Sequence, residues 1–187
     1  MEETGYLELF IGPMFSGKTS KLIDIYNNID DKSKVLIINH NLDNRYGKNK
    51  IITHDKKEAP CIEMEKLYEI YNLPGGFENY EYILINEGQF FDDLLVMINL
   101  LVEKHHKTVY VCGLDGDYKR DPIGDILQLI SFCDKVVKLY GKCGTKKCKK
   151  KAIFTTRKHF DLDKQILIGG EDIYESLCRK CFLKQLK

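Results

Sequence analysis

Hydrophobic and polar positions follow two different periods along the first 139 residues. Short apolar runs predict buried strands, and apolar residues spaced three or four apart predict helices. The predicted strands are 6–11, 34–39, 82–86, 108–112 and 135–139. The predicted helices are 18–29, 64–71, 92–104 and 123–132, and residues 40–60 and 115–122 are predicted to be loops. Strands that alternate with helices indicate an α/β fold with a parallel sheet covered by helices.

The pattern changes after residue 139. Lysines and cysteines replace the regular apolar spacing, and two cysteine pairs bracket the region. We therefore predict two domains, residues 1–139 and a small cysteine-rich domain at residues 140–187.

Composition narrows the choice of function and compartment. The chain has 187 residues, and its 29 basic and 28 acidic side chains give a net charge of +1, which argues against a protein that coats nucleic acid. No apolar run is long enough to cross a membrane, and the acidic start at residues 1–5 lacks the features of a secretory signal. We expect a cytoplasmic protein, whose cysteines are thiols or metal ligands.

A phosphate-binding loop follows the first predicted strand. Residues 12–19 fit the pattern G-x-x-x-x-G-K-[ST] between a strand and a helix. Such a loop directs backbone N–H groups at nucleotide phosphates, its lysine reaches the β- and γ-phosphates, and its hydroxyl faces Mg²⁺. The alternative is a glycine-rich turn that holds a lysine by chance. The candidate ATP-binding residues are Gly12, Pro13, Met14, Phe15, Ser16, Gly17, Lys18 and Thr19.

An acidic residue follows the third predicted strand. Glu87 comes directly after residues 82–86, at the sheet edge where α/β proteins bind ligands. This position predicts a carboxylate close to the γ-phosphate. The alternative is a solvated or helix-capping acid.

Four cysteines have the spacing of a structural zinc site. Cys143 and Cys148 are five positions apart, and Cys178 and Cys181 are three apart. Four thiolates complete the tetrahedral coordination of Zn²⁺ and leave no open position for catalysis. The alternative is four free thiols.

Several motifs, taken together, resemble the zinc-containing (type II) thymidine kinases of bacteria, large DNA viruses and the animal cytosol. They are the loop interior Pro13-Met14-Phe15-Ser16, the run 87–91, the segments 43–46 and 53–55, the run 114–120, and residues 168–170 and Tyr174 ahead of the second cysteine pair. The resemblance extends through the whole chain.

This resemblance implies a kinase that transfers the γ-phosphoryl group of ATP to the 5′-hydroxyl of thymidine, and also of deoxyuridine. Glu87 would be the general base, and Lys18 and Arg45 would assist catalysis at the phosphates. Thr19, Asp43 and Asn86 would lie near Mg²⁺. The residues implied at the nucleoside are Met14, Phe90, Leu114, Tyr118 and Tyr174, with main-chain groups of Thr155, Gln165 and Leu167.

The resemblance also implies a lasso-shaped loop at residues 155–174 that the zinc site pins, a homotetramer, and feedback inhibition by dTTP. The chain departs from the family pattern at two places. Asn86 stands where the family usually has aspartate, and four residues instead of two separate Cys143 from Cys148. An amide lacks the charge that would favour Mg²⁺, so we expect weaker metal binding.

Two other functions remain open at this point. A nucleic-acid-dependent ATPase could use the zinc module and the lysine run at residues 142–151 to bind DNA or RNA. A nucleotide-binding protein of impaired activity would follow if Asn86 abolished turnover. We interpret the lysine run as a solvated rim, so nucleic acid is not an expected partner.

Overall fold

Eight strands form in the N-terminal three quarters of the chain. The computed structural model describes residues 4–43, 49–53, 55–158 and 164–185. The strands are β1 (Tyr6–Gly12), β2 (Val35–His40), β3 (Lys50–Ile52), β4 (Glu58–Pro60), β5 (Ile62–Met64), β6 (Tyr82–Ile85), β7 (Thr108–Leu114) and β8 (Lys135–Lys138). Six of them form a sheet in the order β5-β2-β6-β7-β1-β8, in which all neighbours are parallel. The predicted α/β class with a parallel sheet is confirmed.

Successive residues of the interior strand β1 face opposite sides of the sheet, as the period of two requires. Leu7, Leu9 and Ile11 pack in one buried cluster, and Phe10 packs in another. Helix α1 (Lys18–Asn28) and the β3–β4 hairpin cover the Phe10 side. Helix α2 (Leu94–Asn99) and two 3₁₀ helices, at Leu67–Asn72 and Ile126–Ser131, cover the other side. Helical elements therefore cover both faces.

Two sequence predictions fail between β2 and β6. The predicted loop at residues 40–60 contains the antiparallel pair β3–β4. The predicted helix 64–71 is a strand followed by a 3₁₀ helix, because Met64 pairs with His40 of β2 in the parallel ladder. Met64, Leu67 and Ile70 are all buried, so the apolar spacing was real although the element type was wrong.

Two other predicted helices are shorter or of another type than expected. The helix predicted at 92–104 is α only over Leu94–Asn99 and continues as a π-helical turn at Leu100–Lys104. The helix predicted at 123–132 is the 3₁₀ helix Ile126–Ser131. Among the described residues, no helix is long and apolar enough to span a membrane.

The region after β8 is built from short antiparallel pairs. Strand β9 (Gly141–Lys142) pairs with β10 (Lys151–Ala152), and β11 (Phe154–Arg157) pairs with β12 (Tyr174–Leu177). Helix α3 (Arg179–Gln185) follows, and Phe182 packs with Leu177 and the cysteines in a separate small cluster. The boundary at residue 139 stays a prediction.

Candidate active site

The phosphate-binding loop begins where β1 ends. A Cβ atom on Gly12 would lie 2.6 Å from the Leu139 carbonyl oxygen, so only glycine fits there. Gly17 has φ +82°, which favours glycine, and it leads directly into α1. Lys18 is buried, and its Nζ donates to the Pro13 carbonyl oxygen at 2.7 Å. The Ser16 hydroxyl is buried and has no hydrogen-bond partner among the described residues, so it could bond to a phosphate oxygen.

Asn86 lies behind the loop at the centre of a buried hydrogen-bond network. Its Oδ1 accepts from Thr19 Oγ1 at 3.2 Å and from the Cys112 thiol at 3.1 Å. Its Nδ2 donates to Asn39 Oδ1 at 2.8 Å. Burial raises the pKa of the Cys112 thiol to about 12, which keeps it protonated and able to donate.

A small recess lies beside this network. Oxygen-bearing side chains of Thr19, Asn39, Asp43 and Asn86 line it. Hydroxyl, carbonyl and carboxylate oxygens are the ligands that Mg²⁺ accepts, directly or through its water molecules. The recess therefore has suitable chemistry for the metal that accompanies ATP.

Glu87 occupies a strained backbone conformation at the end of β6. Its φ of 53° and ψ of 42° are left-handed, which is uncommon for a residue with a side chain and occurs often at functional sites. Gln89 Nε2 donates to the Glu87 carboxylate at 2.7 Å, and Gln89 Oε1 accepts from the Leu114 backbone N–H at 3.0 Å. Gln89 thus connects Glu87 to the end of β7. The sequence motif contained Gln89, but its role was not predicted.

One cavity of about 770 Å³ joins the loop to the cysteine-rich region. Lys18, Thr19, Asp43 and Glu87 line it. The other predicted residues on its wall are Met14, Phe15, Ser16, Gly17, Phe90, Leu114, Tyr118, Thr155, Gln165, Leu167 and Tyr174. Residues separated by up to 160 positions in the sequence therefore share one cavity. Arg45, Tyr46, His54 and His159 lie outside the described residues.

An aromatic cluster supports Phe90. The His40 ring makes edge contacts with the rings of Phe90 and Phe91, at centroid distances of 5.8 and 4.6 Å. His40 Nδ1 accepts from the Leu42 backbone N–H at 3.0 Å, which requires a neutral ring with an unprotonated Nδ1. Burial lowers the pKa of His40, and a hydrogen bond to the Glu65 backbone and the charge of Glu65 oppose that shift only in part.

The β11–β12 hairpin is fastened to the phosphate-binding loop. Thr155 Oγ1 accepts from the Met14 backbone N–H at 3.0 Å, and Ser176 Oγ donates to the Met14 carbonyl oxygen. Met14 is buried by these contacts and also lines the cavity. The hairpin therefore holds both the N–H and the carbonyl group of Met14. The sequence analysis did not anticipate the second contact, because Ser176 belongs to no recognised motif.

The segment after residue 164 reaches back over the cavity. Gln165 Nε2 donates to the Pro122 carbonyl oxygen at 3.0 Å, and Tyr174 Oη donates to the Leu167 carbonyl oxygen at 2.8 Å. Gln165, Leu167 and Tyr174 all line the cavity, so both contacts hold the segment at its wall. Arg157, which sequence reasoning also missed, is fully buried beside them.

The four predicted cysteines converge. The sulfur atoms of Cys143, Cys148, Cys178 and Cys181 all lie within 4.8 Å of one another. Cys148 and Cys178 are 3.8 Å apart, close to the roughly 3.8 Å expected between sulfurs of a tetrahedral zinc site with Zn–S bonds of about 2.3 Å. The longer first knuckle reaches the site through a turn in which the Cys148 N–H donates to the Thr145 carbonyl oxygen at 2.9 Å.

The thiols of the cluster differ in their electrostatics. A hydrogen bond with Thr145 lowers the pKa of Cys181, but desolvation and hydrogen bonds with the other three cysteines raise it overall to about 11. Desolvation opposes ionisation of Cys143, but hydrogen bonds from the backbone of Cys178 and Thr145 outweigh it and lower its pKa to about 6. Zinc binds thiolates, so a thiol that ionises readily fits the ion.

The six lysines at 142–151 are all exposed.

Known proteins are similar to this chain over nearly its whole length. The family model for thymidine kinase matches residues 5–182. A thymidine kinase of Oryza sativa subsp. japonica is 36% identical over 184 residues, which is 96% of this chain and 66% of that protein. Thymidine kinase a of Arabidopsis thaliana is 37% identical, covering 96% of this chain and 76% of its own length. A thymidine kinase of monkeypox virus is 38% identical, covering 96% of this chain and 97% of its own length.

Proposed function

Because this chain belongs to the thymidine kinase family, we propose that it is an enzyme that transfers the γ-phosphoryl group of ATP to the 5′-hydroxyl of thymidine. The products are dTMP and ADP. The observation that carries the proposal is that Lys18 and Thr19 of the phosphate-binding loop line the same cavity as Glu87 and Phe90. A triphosphate on the loop would have its terminal group directed at a nucleoside between Phe90 and the segment around Leu167.

Proton removal is the task proposed for Glu87. The carboxylate accepts the proton of the 5′-hydroxyl as that oxygen attacks the γ-phosphorus, and the bond to the β-phosphate oxygen breaks, which leaves ADP. Gln89 holds the carboxylate through the 2.7 Å hydrogen bond, so its orientation is set before substrate binds. Such positioning supplies much of the rate in phosphoryl transfer.

The phosphates are stabilised by the loop. Its backbone N–H groups, the start of α1 and the Lys18 ammonium offset the negative charge. Thr19, Asp43 and Asn86 would hold Mg²⁺ through oxygen atoms, since they line the recess beside the loop. Mg²⁺, when bound, neutralises charge on the β- and γ-phosphates. Arg45 is proposed to assist on the ground of the family motif alone.

Recognition of the base is proposed for the cavity residues other than those at the phosphates. Phe90 is proposed to stack on the thymine ring, with Met14, Leu114 and Tyr118 packed around it. Main-chain groups of Thr155, Gln165 and Leu167 are proposed to bond the base edge, and Tyr174 to lie near the sugar. Main-chain groups that bond only the edge of the base would contact uracil and thymine alike. Deoxyuridine and thymidine are therefore both proposed substrates.

The remaining properties that the family resemblance implies are also proposed for this chain. They are zinc bound by the four cysteines, a homotetramer, inhibition by dTTP and a cytoplasmic location. The zinc would be structural, because four thiolates leave no open coordination position.

The test of the proposed reaction uses labelled ATP, Mg²⁺ and a panel of deoxynucleosides. We expect label on thymidine and deoxyuridine, and not on deoxyadenosine or deoxyguanosine. Absence of any labelled nucleoside, with ATP hydrolysis that increases on addition of polynucleotide, would instead indicate a nucleic-acid-dependent ATPase. Binding of ATP without turnover would indicate that Asn86 has abolished activity.

A further inference from the structure

Arg157 is a fully buried arginine for which the proposed mechanism has no use. It is the last residue of β11, pairs with Tyr174 of β12, and has no exposed surface. Removing a guanidinium from water costs free energy that its contacts must offset. The contacts of Arg157 therefore indicate which part of the structure it stabilises.

The guanidinium lies over an aromatic ring of the cavity. The guanidinium carbon is 3.9 Å from the centroid of the Tyr118 ring, well inside the range of cation–π contact. Tyr118 is buried in the loop that follows β7 and lines the cavity. This contact and the hydrogen bonds of the guanidinium together restrict where its N–H groups point.

Those N–H groups point at the segment after residue 164. Arg157 Nη2 donates to the Gln165 carbonyl oxygen at 3.0 Å. Both Nη2 and Nε donate to Tyr174 Oη, at 3.3 and 3.4 Å, and the Tyr174 O–H donates in turn to the Leu167 carbonyl oxygen at 2.8 Å. One guanidinium therefore holds the main chain at Gln165 directly and at Leu167 through a phenol.

We infer that Arg157 is the positioning residue that sets the main chain of residues 165–167 at the distance and angle needed to recognise the nucleoside base. The inference rests on the proposed function, because only a base in this cavity would be read by that main chain. A carbonyl oxygen has two lone pairs, so the bonds to Arg157 and Tyr174 leave these groups able to contact a ligand. Arg157 acts through the segment and does not touch the phosphates.

The test compares R157K with the unchanged protein. Lysine keeps the charge but has neither the planar face nor the forked donors. We expect the KM for thymidine to rise about tenfold or more and the KM for ATP to change by less than about twofold, because the hydrogen bonds from Arg157 to Gln165 and Tyr174 hold the segment proposed to face the base. R120K is the matched control: Arg120 is exposed, and its guanidinium carbon is 5.0 Å from the Phe182 ring, away from the segment.

A second measurement separates this inference from the proposed reaction. Amide hydrogen exchange in residues 164–168, without nucleoside, should be faster in R157K than in the unchanged protein or R120K by about tenfold or more. If the unchanged protein phosphorylates thymidine but R157K keeps its thymidine KM and its exchange rates, the inference is wrong and the reaction stands. If no nucleoside is phosphorylated, the proposed function is wrong, and the exchange rates still decide whether Arg157 anchors the segment.

Chemical rescue covers the case in which a variant folds poorly. In R157A, added guanidinium at low millimolar concentration should raise Tm and lower the thymidine KM relative to the same concentration of NaCl, since the ion can occupy the space beside Tyr118. No difference between guanidinium and sodium in either measurement would contradict the positioning role.

Discussion

Asn86 shows how an amide is accommodated where the family usually has aspartate. Its Oδ1 accepts hydrogen bonds from Thr19 and Cys112, which an aspartate oxygen could also do. Its Nδ2, however, donates to Asn39 Oδ1, and an aspartate would place two oxygens against each other there. Asn39 would have to turn its amide and give up its 3.4 Å hydrogen bond to the Asp43 carbonyl oxygen. Asn39 and Asn86 therefore form a matched pair.

The substitution N86D tests the cost of the missing charge. We expect the Mg²⁺ concentration for half-maximal activity to fall several-fold, because a carboxylate attracts the hydrated cation more strongly than an amide does. Activity measured against Mg²⁺ concentration gives the result. N99D, which adds the same charge at an exposed position on α2, serves as the control. An unchanged Mg²⁺ requirement in N86D would refute this role for the residue.

His40 predicts a dependence of stability on pH. Burial lowers its pKa below the value of about 6.5 that it has when unfolded, although the charges of Glu65, Asp92 and Asp93 oppose the shift. The unfolded chain therefore binds a proton more readily than the folded one as the pH falls through about 6.5. The free energy of unfolding should decrease in that interval, because a protonated ring also loses the hydrogen bond from Leu42.

The variant H40Q provides the comparison. Glutamine can accept the Leu42 hydrogen bond but does not titrate. We expect denaturant unfolding of the unchanged protein to lose stability between pH 7.5 and pH 5.5 more steeply than that of H40Q. Equal slopes in the two proteins would show that His40 is not responsible.

At the scale of secondary structure, β11 couples the hairpin to the phosphate-binding loop. Thr155 and Thr156 are neighbours on this strand and face opposite ways. Thr155 Oγ1 accepts from the Met14 N–H, whereas Thr156 Oγ1 donates to Gln185 Oε1 at 3.2 Å. Because Met14 belongs to the phosphate-binding loop and is also proposed to pack against the base, its displacement should affect both substrates.

The pair T155V and T156V tests this coupling. Valine keeps the shape of threonine but cannot accept the Met14 hydrogen bond, which leaves a buried N–H without its partner at a cost of about 1–3 kcal/mol. We expect T155V to raise the KM of both ATP and thymidine, and T156V to leave both nearly unchanged. Equal kinetics in the two variants would mean that the contact with Met14 does not position the loop.

The cysteine cluster joins two elements that are far apart in the chain. Cys143 follows β9 and Cys178 follows β12, and the Gly144 N–H donates to the Ser176 carbonyl oxygen at 2.8 Å. A metal at the cluster would therefore stabilise the hairpin that holds Met14.

The variant C148S tests this stabilisation. We expect less than one zinc per chain by elemental analysis and a lower Tm, because a serine hydroxyl is a poor zinc ligand. C133S, at a cysteine outside the cluster, should keep both properties. A full complement of free thiols and no zinc in the unchanged protein would exclude the site.

Across the whole molecule, the sequence predicts the elements that obey a simple period or carry a motif. The apolar run at residues 6–11 predicted a buried strand, and Leu7, Leu9 and Ile11 on one face and Phe10 on the other are all buried because both faces of the sheet are covered. The β3–β4 hairpin was missed because each strand has only three residues, too few to show a period. The 3₁₀ helix Ile126–Ser131 was predicted as α, since apolar spacing does not distinguish the two.

The residues of the candidate site also divide into those that the sequence could predict and those that it could not. The loop, Glu87 and the four cysteines could be predicted, because their chemistry depends on spacing along the chain. Gln89, Ser176 and Arg157 could not be given roles, since each acts on a partner that only the folded chain brings near. The parallel sheet places the end of β7 beside Gln89, and the β11–β12 register places Arg157 beside Tyr174.

The central claim is that Glu87 removes the proton of the nucleoside 5′-hydroxyl. The most direct measurement is the single-turnover rate of dTMP formation in E87Q, together with calorimetric titration of thymidine. Glutamine has the same shape as glutamate but cannot accept the proton, so we predict a rate lower by about 10²–10⁴ with thymidine affinity nearly unchanged. A single-turnover rate in E87Q close to that of the unchanged protein would contradict the account.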